Sequence, residues 1–290
     1  MVSQGEAFCP GHVTAFFEVC EDPDPRKKGS RGAGLSLSLG VRTVARVREA
    51  PKGSLEILVN GRKTRAEVTE AAARKVLGDR SFDVKILSDT PLPVSQGFGV
   101  SSAAALSTTL ALDDALGSGI KRDELVALAH TAEVECGTGL GDVVPASLGG
   151  MDLRRAPGAP GHADVRKFEA RKDLLLAVVG PEMRTKAVLR DPAKVAAINR
   201  HGGSCVAAFE ERPTFERLFD LGNRFAEDTG LASKTVLEVV RASRMFGRAA
   251  MAMLGNSIFA EAGREELATL YLKFGTLMRC EVDNVGARVL

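Results

Sequence analysis

Residues 93–107 read PVSQGFGVSSAAALS, a loop of small residues that runs directly into alanine. Glycine lets backbone amides approach a ligand because no Cβ stands in the way. A helix N-terminus adds free N–H groups and a partial positive charge. Gly97, Gly99, Ser101 and Ser102 stand at such a junction, and Ala103 to Ala105 open a helix of high propensity. The local chemistry fits a phosphate cradle, or a plain strand-to-helix turn with a capping serine. Two common nucleotide motifs are absent. No Lys-Ser or Lys-Thr follows the last glycine, and Ser102 occupies the third glycine position of the dinucleotide pattern.

Working outward, FDVKILSD at 82–89 reads as a strand that leads into this loop. Helices are expected at about 101–116 and 122–135, with Asp123 favouring the positive end of the second. GTGLGDVVPASLGG at 137–150 is a glycine-rich turn. Upstream, HVTAFFEV at 12–19 reads as a strand, and residues 34–49 alternate apolar and polar side chains as a half-buried strand or hairpin does. Asn60-Gly61 signals a hairpin turn, and a helix is expected at about 67–77. Residues 154–172 are polar and rich in Pro and Gly, which fits a domain boundary or a surface hairpin. The boundary reading divides the chain into 1–165 and 166–290. Downstream, a strand is expected near 174–179, and helices near 192–200, 213–229 and 233–245. A small-residue strand at 249–260, a helix at 263–271 and a terminal strand or hairpin at 276–289 follow. Interleaved helices and antiparallel-looking strands give an α+β fold class.

Composition narrows the function. Apolar residues make up 44% and charged residues 26% of the chain, the balance of a globular protein. The formal net charge is only +2, so no global field draws nucleic acid or a membrane surface. With no Trp and one Tyr, stacking platforms for single strands are not expected. No basic start followed by an apolar run opens the chain, and the most apolar run, LLLAVVG at 174–180, reads as a buried strand. The five cysteines form no CxxC pair, and the four histidines show no metal-ligand spacing. A cytoplasmic location with reduced structural thiols is expected.

The loop resembles the central signature of the GHMP kinases (galactokinase, homoserine kinase, mevalonate kinase and phosphomevalonate kinase), with Val100 inserted before the serines. FCPGHVTAFFEV at 8–19 is similar to that family's N-terminal Pro-Gly strand. AMLGNSIFA at 252–260 falls where its C-terminal glycine-rich motif lies, with Asn256 and Ser257 replacing glycines. Within the superfamily, the order of these strings resembles the archaeal pantoate kinases. The resemblance implies an N-terminal domain like ribosomal protein S5 domain 2 and a ferredoxin-like C-terminal domain. It implies ATP phosphates held by Pro93, Gly97, Phe98, Gly99, Val100, Ser101, Ser102 and Ala103. Mg2+ would be held by Ser102, with Ser101 able to exchange roles, and by Glu133. Asp142 would take the proton of the acceptor hydroxyl.

The implied acceptor is pantoate, on the way to coenzyme A. Arg154 with His130 would meet its carboxylate, and Thr185 and Ser30 would supply hydroxyl donors. A homodimer is also implied. Read without the resemblance, Glu133 fits a solvated helix face, Asp142 a turn, Arg154 the surface, His130 helix packing and Thr185 a loop. Other acceptors remain open, namely mevalonate, shikimate and homoserine. So do a diphosphate decarboxylase and a non-catalytic nucleotide sensor on the same fold.

Overall fold

The computed structural model describes residues 2–183 and 185–290. The chain opens with two long antiparallel strands, β1 (Val2–Cys20) and β2 (Gly29–Glu49), paired along almost their full length. Short strands β3 (Ser54–Val59) and β4 (Arg62–Lys63) close on the Asn60-Gly61 turn. Helix α1 (Glu67–Leu77) leads to β5 (Phe82–Asp89), which pairs antiparallel with β2 and parallel with β3. The glycine loop then enters α2 (Val100–Leu116), followed by α3 (Arg122–Cys136) and the short α4 (Val143–Leu148). Strands β6 (Met151–Ala156) and β7 (Asp164–Phe168) form a hairpin in the same sheet, with β6 on β2.

The second half begins with β8 (Asp173–Val178). Helices α5 (Thr185–Leu189), α6 (Pro192–Glu211), α7 (Phe215–Thr229) and α8 (Lys234–Ser243) follow. Strands β9 (Ala249–Met251) and β10 (Ser257–Glu261), helix α9 (Glu265–Leu272) and strand β11 (Leu277–Glu281) complete a second sheet, ordered β11-β8-β10-β9 and antiparallel throughout. This is the ferredoxin-like order. The last strand, β12 (Arg288–Val289), returns to pair with β1.

The polar stretch at 154–172 is therefore mainly the β6–β7 hairpin, and a division at residue 165 cuts through β7. The chain leaves the first sheet only after Phe168 and enters the second at Asp173. Two further expectations change. The strand read at 249–260 is two strands with a loop at 252–256 between them. Helix α6 runs on through Gly202-Gly203 to Glu211, because packing of its buried Gly202, Cys205, Val206 and Phe209 outweighs the poor propensity of glycine.

Side-chain caps start three of the helices. Asp191, Thr214 and Ser233 cap α6, α7 and α8 through side-chain oxygens that accept backbone N–H bonds, each cap worth about 1 kcal/mol. In α7 the apolar Phe215, Leu218, Phe219, Leu221, Phe225 and Ala226 recur at helical spacing and are buried. Phe16 and Phe17 of β1 meet Phe209 and Phe225, which ties the two helices to the first hairpin. Helix α2 is buried on nearly every face, which its Ala, Ser and Thr content permits by keeping its girth small. All five cysteines are free.

Candidate active site

The glycine turn and the ends of both sheets enclose a cleft of about 310 Å³. Gly97, Phe98, Gly99, Val100 and Ser101 form one wall. Gly97 and Gly99 have φ of 75° and 63°, the left-handed region in which a side chain is strained. A Cβ on Gly99 would stand 2.8 Å from the backbone N of His12, so β1 itself requires glycine here. Gly99 is the residue before α2, whose first turn carries no acidic side chain to repel an anion. The amides of that turn have no intrahelical acceptor and are free for phosphate oxygens.

The loop at 252–256 is a buttress beneath this turn. Ser257 donates its hydroxyl to the carbonyl of Gln96, and a Cβ on Gly97 would stand 2.5 Å from the carbonyl of Ala252. Met253 donates its N–H to Thr14 (3.0 Å), and Asn256 bonds the carbonyl of Pro181 (2.9 Å). The expected C-terminal motif thus lies against the phosphate turn, where its small residues allow close backbone approach.

Glu133 on α3 lies beside the turn and is buried. Ser101 donates its hydroxyl to Oε1 of Glu133 at 2.9 Å, while Oε2 has no hydrogen-bond partner among the described residues. Burial, then repulsion from Asp142, raises this carboxyl to about 8 despite the Ser101 bond. Ser102, expected beside Glu133, is turned the other way. It is fully buried and donates to the carbonyl of Gly99 at 2.8 Å, because one residue along a helix rotates a side chain by about 100°. The hydroxyl beside the carboxylate is that of Ser101.

Asp142, at the entry to α4, lines the same cleft. Its Oδ1 accepts from the Thr14 hydroxyl (3.0 Å) and the Arg154 guanidinium (3.0 Å), and lies 3.1 Å from His12 Nδ1. Burial alone raises a carboxyl, but His12 and then Arg154 outweigh it and hold Asp142 down to about 2. Its side chain keeps 23% exposure, toward the cleft. His12 is buried between Asp142 and Asp152. Burial pulls its pKa down, yet the two carboxylates win and raise it to about 9.

Arg154, expected to meet a substrate carboxylate with an open fork, has that fork in use. One terminal nitrogen is on Asp142 and the carbonyl of Gly141, and the other is on Thr14 at 3.0 Å. It lines the cleft while only 2% exposed. His130 is not in the lining. Its Nε2 donates to the carbonyl of Lys28 at 2.9 Å, and burial lowers its pKa, so it is a neutral packing side chain. That bond fixes the entry to β2, where Ser30 sits in the cleft wall. Thr185 lines the cleft from α5, beside Lys186. Pro93 and Ala103 do not line it. Pro93 precedes the turn, and Ala103 is buried within α2.

Sequence reasoning passed over His12, Thr14 and Asp152. A signal was present: polar or charged residues two apart in strands that are otherwise apolar, His12 and Thr14 in one and Asp152 and Arg154 in the other. Alternate positions share a face of a strand.

A cleft that sets free helix-end amides against a carboxylate flanked by cations has the parts of a phosphoryl-transfer site. The comparisons agree. Residues 65–150 match the family model described as the GHMP kinases N terminal domain. The pantoate kinase of Thermococcus kodakarensis is 35% identical over 90% of this chain and 88% of its own length. That of Methanocaldococcus jannaschii is 31% identical over 90% and 93%. A solved structure described as a phosphotransferase related to the CoA biosynthesis pathway superposes with a TM-score of 0.88 at 30% identity, covering 100% of this chain and 99% of that one. The chain is a member of the GHMP kinase superfamily and belongs, within it, to the pantoate kinase family.

Proposed function

We infer that this chain is an ATP-dependent kinase that transfers the γ-phosphoryl group to the primary hydroxyl of pantoate, giving 4-phosphopantoate for coenzyme A synthesis. The observation that supports the reading most is the cleft itself, lined both by the glycine turn and by Asp142, in a chain 35% identical to a pantoate kinase. In this reading the amides of residues 97–101 hold the triphosphate. Asp142 has Oδ1 occupied by three donors, which leaves Oδ2 to receive the acceptor hydroxyl. A carboxyl held near 2 is a weak base. Asp142 therefore acts first by orienting the hydroxyl, and takes its proton late, as the bond to phosphorus forms. Ser30 and Thr185 offer hydroxyls to a hydroxy acid, and the Lys186 ammonium stands beside Thr185 at the rim.

The residues also fit Mg2+. Glu133 Oε2 is buried and has no partner among the described residues, and the Ser101 hydroxyl is next to that carboxylate, a pair of hard oxygens of the kind this ion takes along with phosphate and water. Glu133 and Ser101 would hold the ion, which when bound neutralises phosphate charge. No helix among the described residues is long and apolar enough to cross a membrane. A cytoplasmic homodimer is part of the proposal, supported by the superfamily resemblance and checked by sedimentation.

The test is ADP release with ATP and Mg2+ against a panel of pantoate, mevalonate, homoserine and shikimate. Pantoate alone is expected to give turnover. Turnover with mevalonate alone ends the pantoate reading, carbon dioxide released with ADP would make the chain a decarboxylase, and no acceptor-dependent ADP at all would make it a sensor.

A further inference from the structure

Behind Asp142, away from the cleft lining, lies a second buried carboxylate that the phosphoryl-transfer scheme does not use. Asp152 is 1% exposed. Its Oδ1 lies 2.6 Å from His12 Nε2, and its Oδ2 lies 3.6 Å from Arg154 Nε. The same two cations reach forward to Oδ1 of Asp142. His12 thus stands between a front carboxylate and a rear one, while Arg154 bonds the front one and lies near the rear one, its Nε and Asp152 Oδ2 without hydrogen-bond partners among the described residues.

The backbone explains how four side chains from distant segments meet. His12 and Thr14 are alternate residues of β1, and Asp152 and Arg154 are alternate residues of β6. Strand β2 lies between them, with Gly34 opposite both Thr14 and Asp152, and Gly32 opposite Arg154. Those two positions carry no side chain, so the groups of β1 and β6 touch over β2. A Cβ on Gly34 would stand 2.5 Å from His12 Cε1, and one on Gly32 would stand 2.8 Å from an Arg154 nitrogen.

The imidazole geometry then sets the charge. A neutral ring has one N–H and one lone pair. Here both ring nitrogens face carboxylate oxygens, at 3.1 and 2.6 Å, so a lone pair on either side would meet an anion. Only the doubly protonated ring donates to both.

We propose that Asp152 is a positioning residue for phosphoryl transfer: it anchors His12 as an imidazolium and aligns Arg154, and through them it locks Oδ1 of Asp142 so that Oδ2 faces the acceptor hydroxyl. Asp152 touches neither nucleotide nor acceptor. The groups that face the His12 ring are Asp142 from the entry to α4, Asp152 and Arg154 from β6, and Thr14 from its own strand, with Glu133 of α3 beyond Asp142. Both aspartates hold the ring proton, through charge and through hydrogen bonding.

The inference rests on the kinase reading of the cleft, and its test separates the two. Ring-nitrogen NMR of the wild-type chain at pH 7, which needs no turnover, is expected to show His12 protonated on both nitrogens. A single-proton tautomer there overturns the proposal. The isosteric Asp152→Asn variant is expected to keep the KM for ATP, lose kcat by about 10-fold or more, and bring the alkaline fall of kcat to lower pH, since the ring proton is then held by one carboxylate. Unchanged kcat with an unmoved alkaline limb overturns the proposal, as does a loss expressed only as a higher KM for ATP. Should Asp152→Asn fail to fold, the wild-type NMR result alone decides. A wild type without turnover on any acceptor, but with a doubly protonated His12, would count against the kinase reading and leave the charged clamp standing.

Discussion

The glycine turn and the charged cluster border one cleft, yet opposite means assemble them. The turn is a single run, residues 97–102, that offers uncharged backbone amides at a helix start. The cluster draws His12 and Thr14 from β1, Asp142 from the entry to α4, and Asp152 and Arg154 from β6, and it works with full charges that are almost completely buried. Amides at a helix end cost little to place, because the helix orients them. Buried charges are costly to desolvate and stand only as a mutually paired set. Damage to the turn should therefore be graded and show in nucleotide binding. Damage to the cluster should be steep and show in turnover.

The sharpest break is at Asp142. Asp142→Asn is expected to lower kcat by about 100-fold or more while ATP affinity, read by calorimetry, stays within a few-fold. A variant within threefold of wild-type kcat would remove Asp142 from the chemistry. Next is the turn. Gly99→Ala forces a side chain into the left-handed region and against His12 N, and should raise the KM for ATP about 10-fold and lower the melting temperature by several degrees. If kcat fell and KM did not, the division of labour between turn and cluster would be wrong.

The serine pair gives a finer test. Ser101→Ala should reduce kcat about 10-fold and raise the Mg2+ concentration needed for half-maximal rate, whereas Ser102→Ala should cost about 1 kcal/mol of stability and leave kcat within about threefold. The reverse ranking would return the ion to Ser102.

The smallest effect is that of pH. His12 is raised to about 9 from 6.5, so its contribution to stability is complete below about 6.5 and is lost as pH rises through about 9. Asp142 is lowered to about 2, so its contribution holds above about 3.8 and is lost as pH falls through about 2. Melting temperatures measured from about pH 7 to about pH 10 should decline at the alkaline end, and replacing His12 by Gln should flatten that decline.

What could be read without coordinates follows the same division. The turn, its glycines and the helix after it are consecutive residues, and local sterics alone mark them. The second half of β1, most of β2, β5 and helices α1, α2, α3, α7 and α8 were legible from local pattern and propensity, whereas the first half of β1, residues 2–11, was not. The short α4 was not, since six residues within a glycine-rich stretch carry too little pattern. The hairpin loop at 252–256 was merged into one strand because its small apolar residues look like strand core. Ser102 was preferred to Ser101 because a motif fixes spacing only to within a residue, and on a helix one residue is a different direction. His130 was placed at the acceptor on the strength of sharing a face with Glu133, but its ring bonds the carbonyl of Lys28 instead.

From the sequence alone came the chemistry that short-range forces control: a glycine turn shaped to admit an anion, a helix after it, an α+β chain with an acid on either side of Gly137. That Glu133 and Asp142 line one cleft, that the Ser101 hydroxyl and not that of Ser102 meets Glu133, and that His12 lies between Asp142 and Asp152 were decided only in the tertiary structure, where β1, β2 and β6 come into register. Charge pairs across strands depend on contacts more than a hundred residues apart, such as His12 with Asp152, and no local rule of propensity or spacing reaches that far.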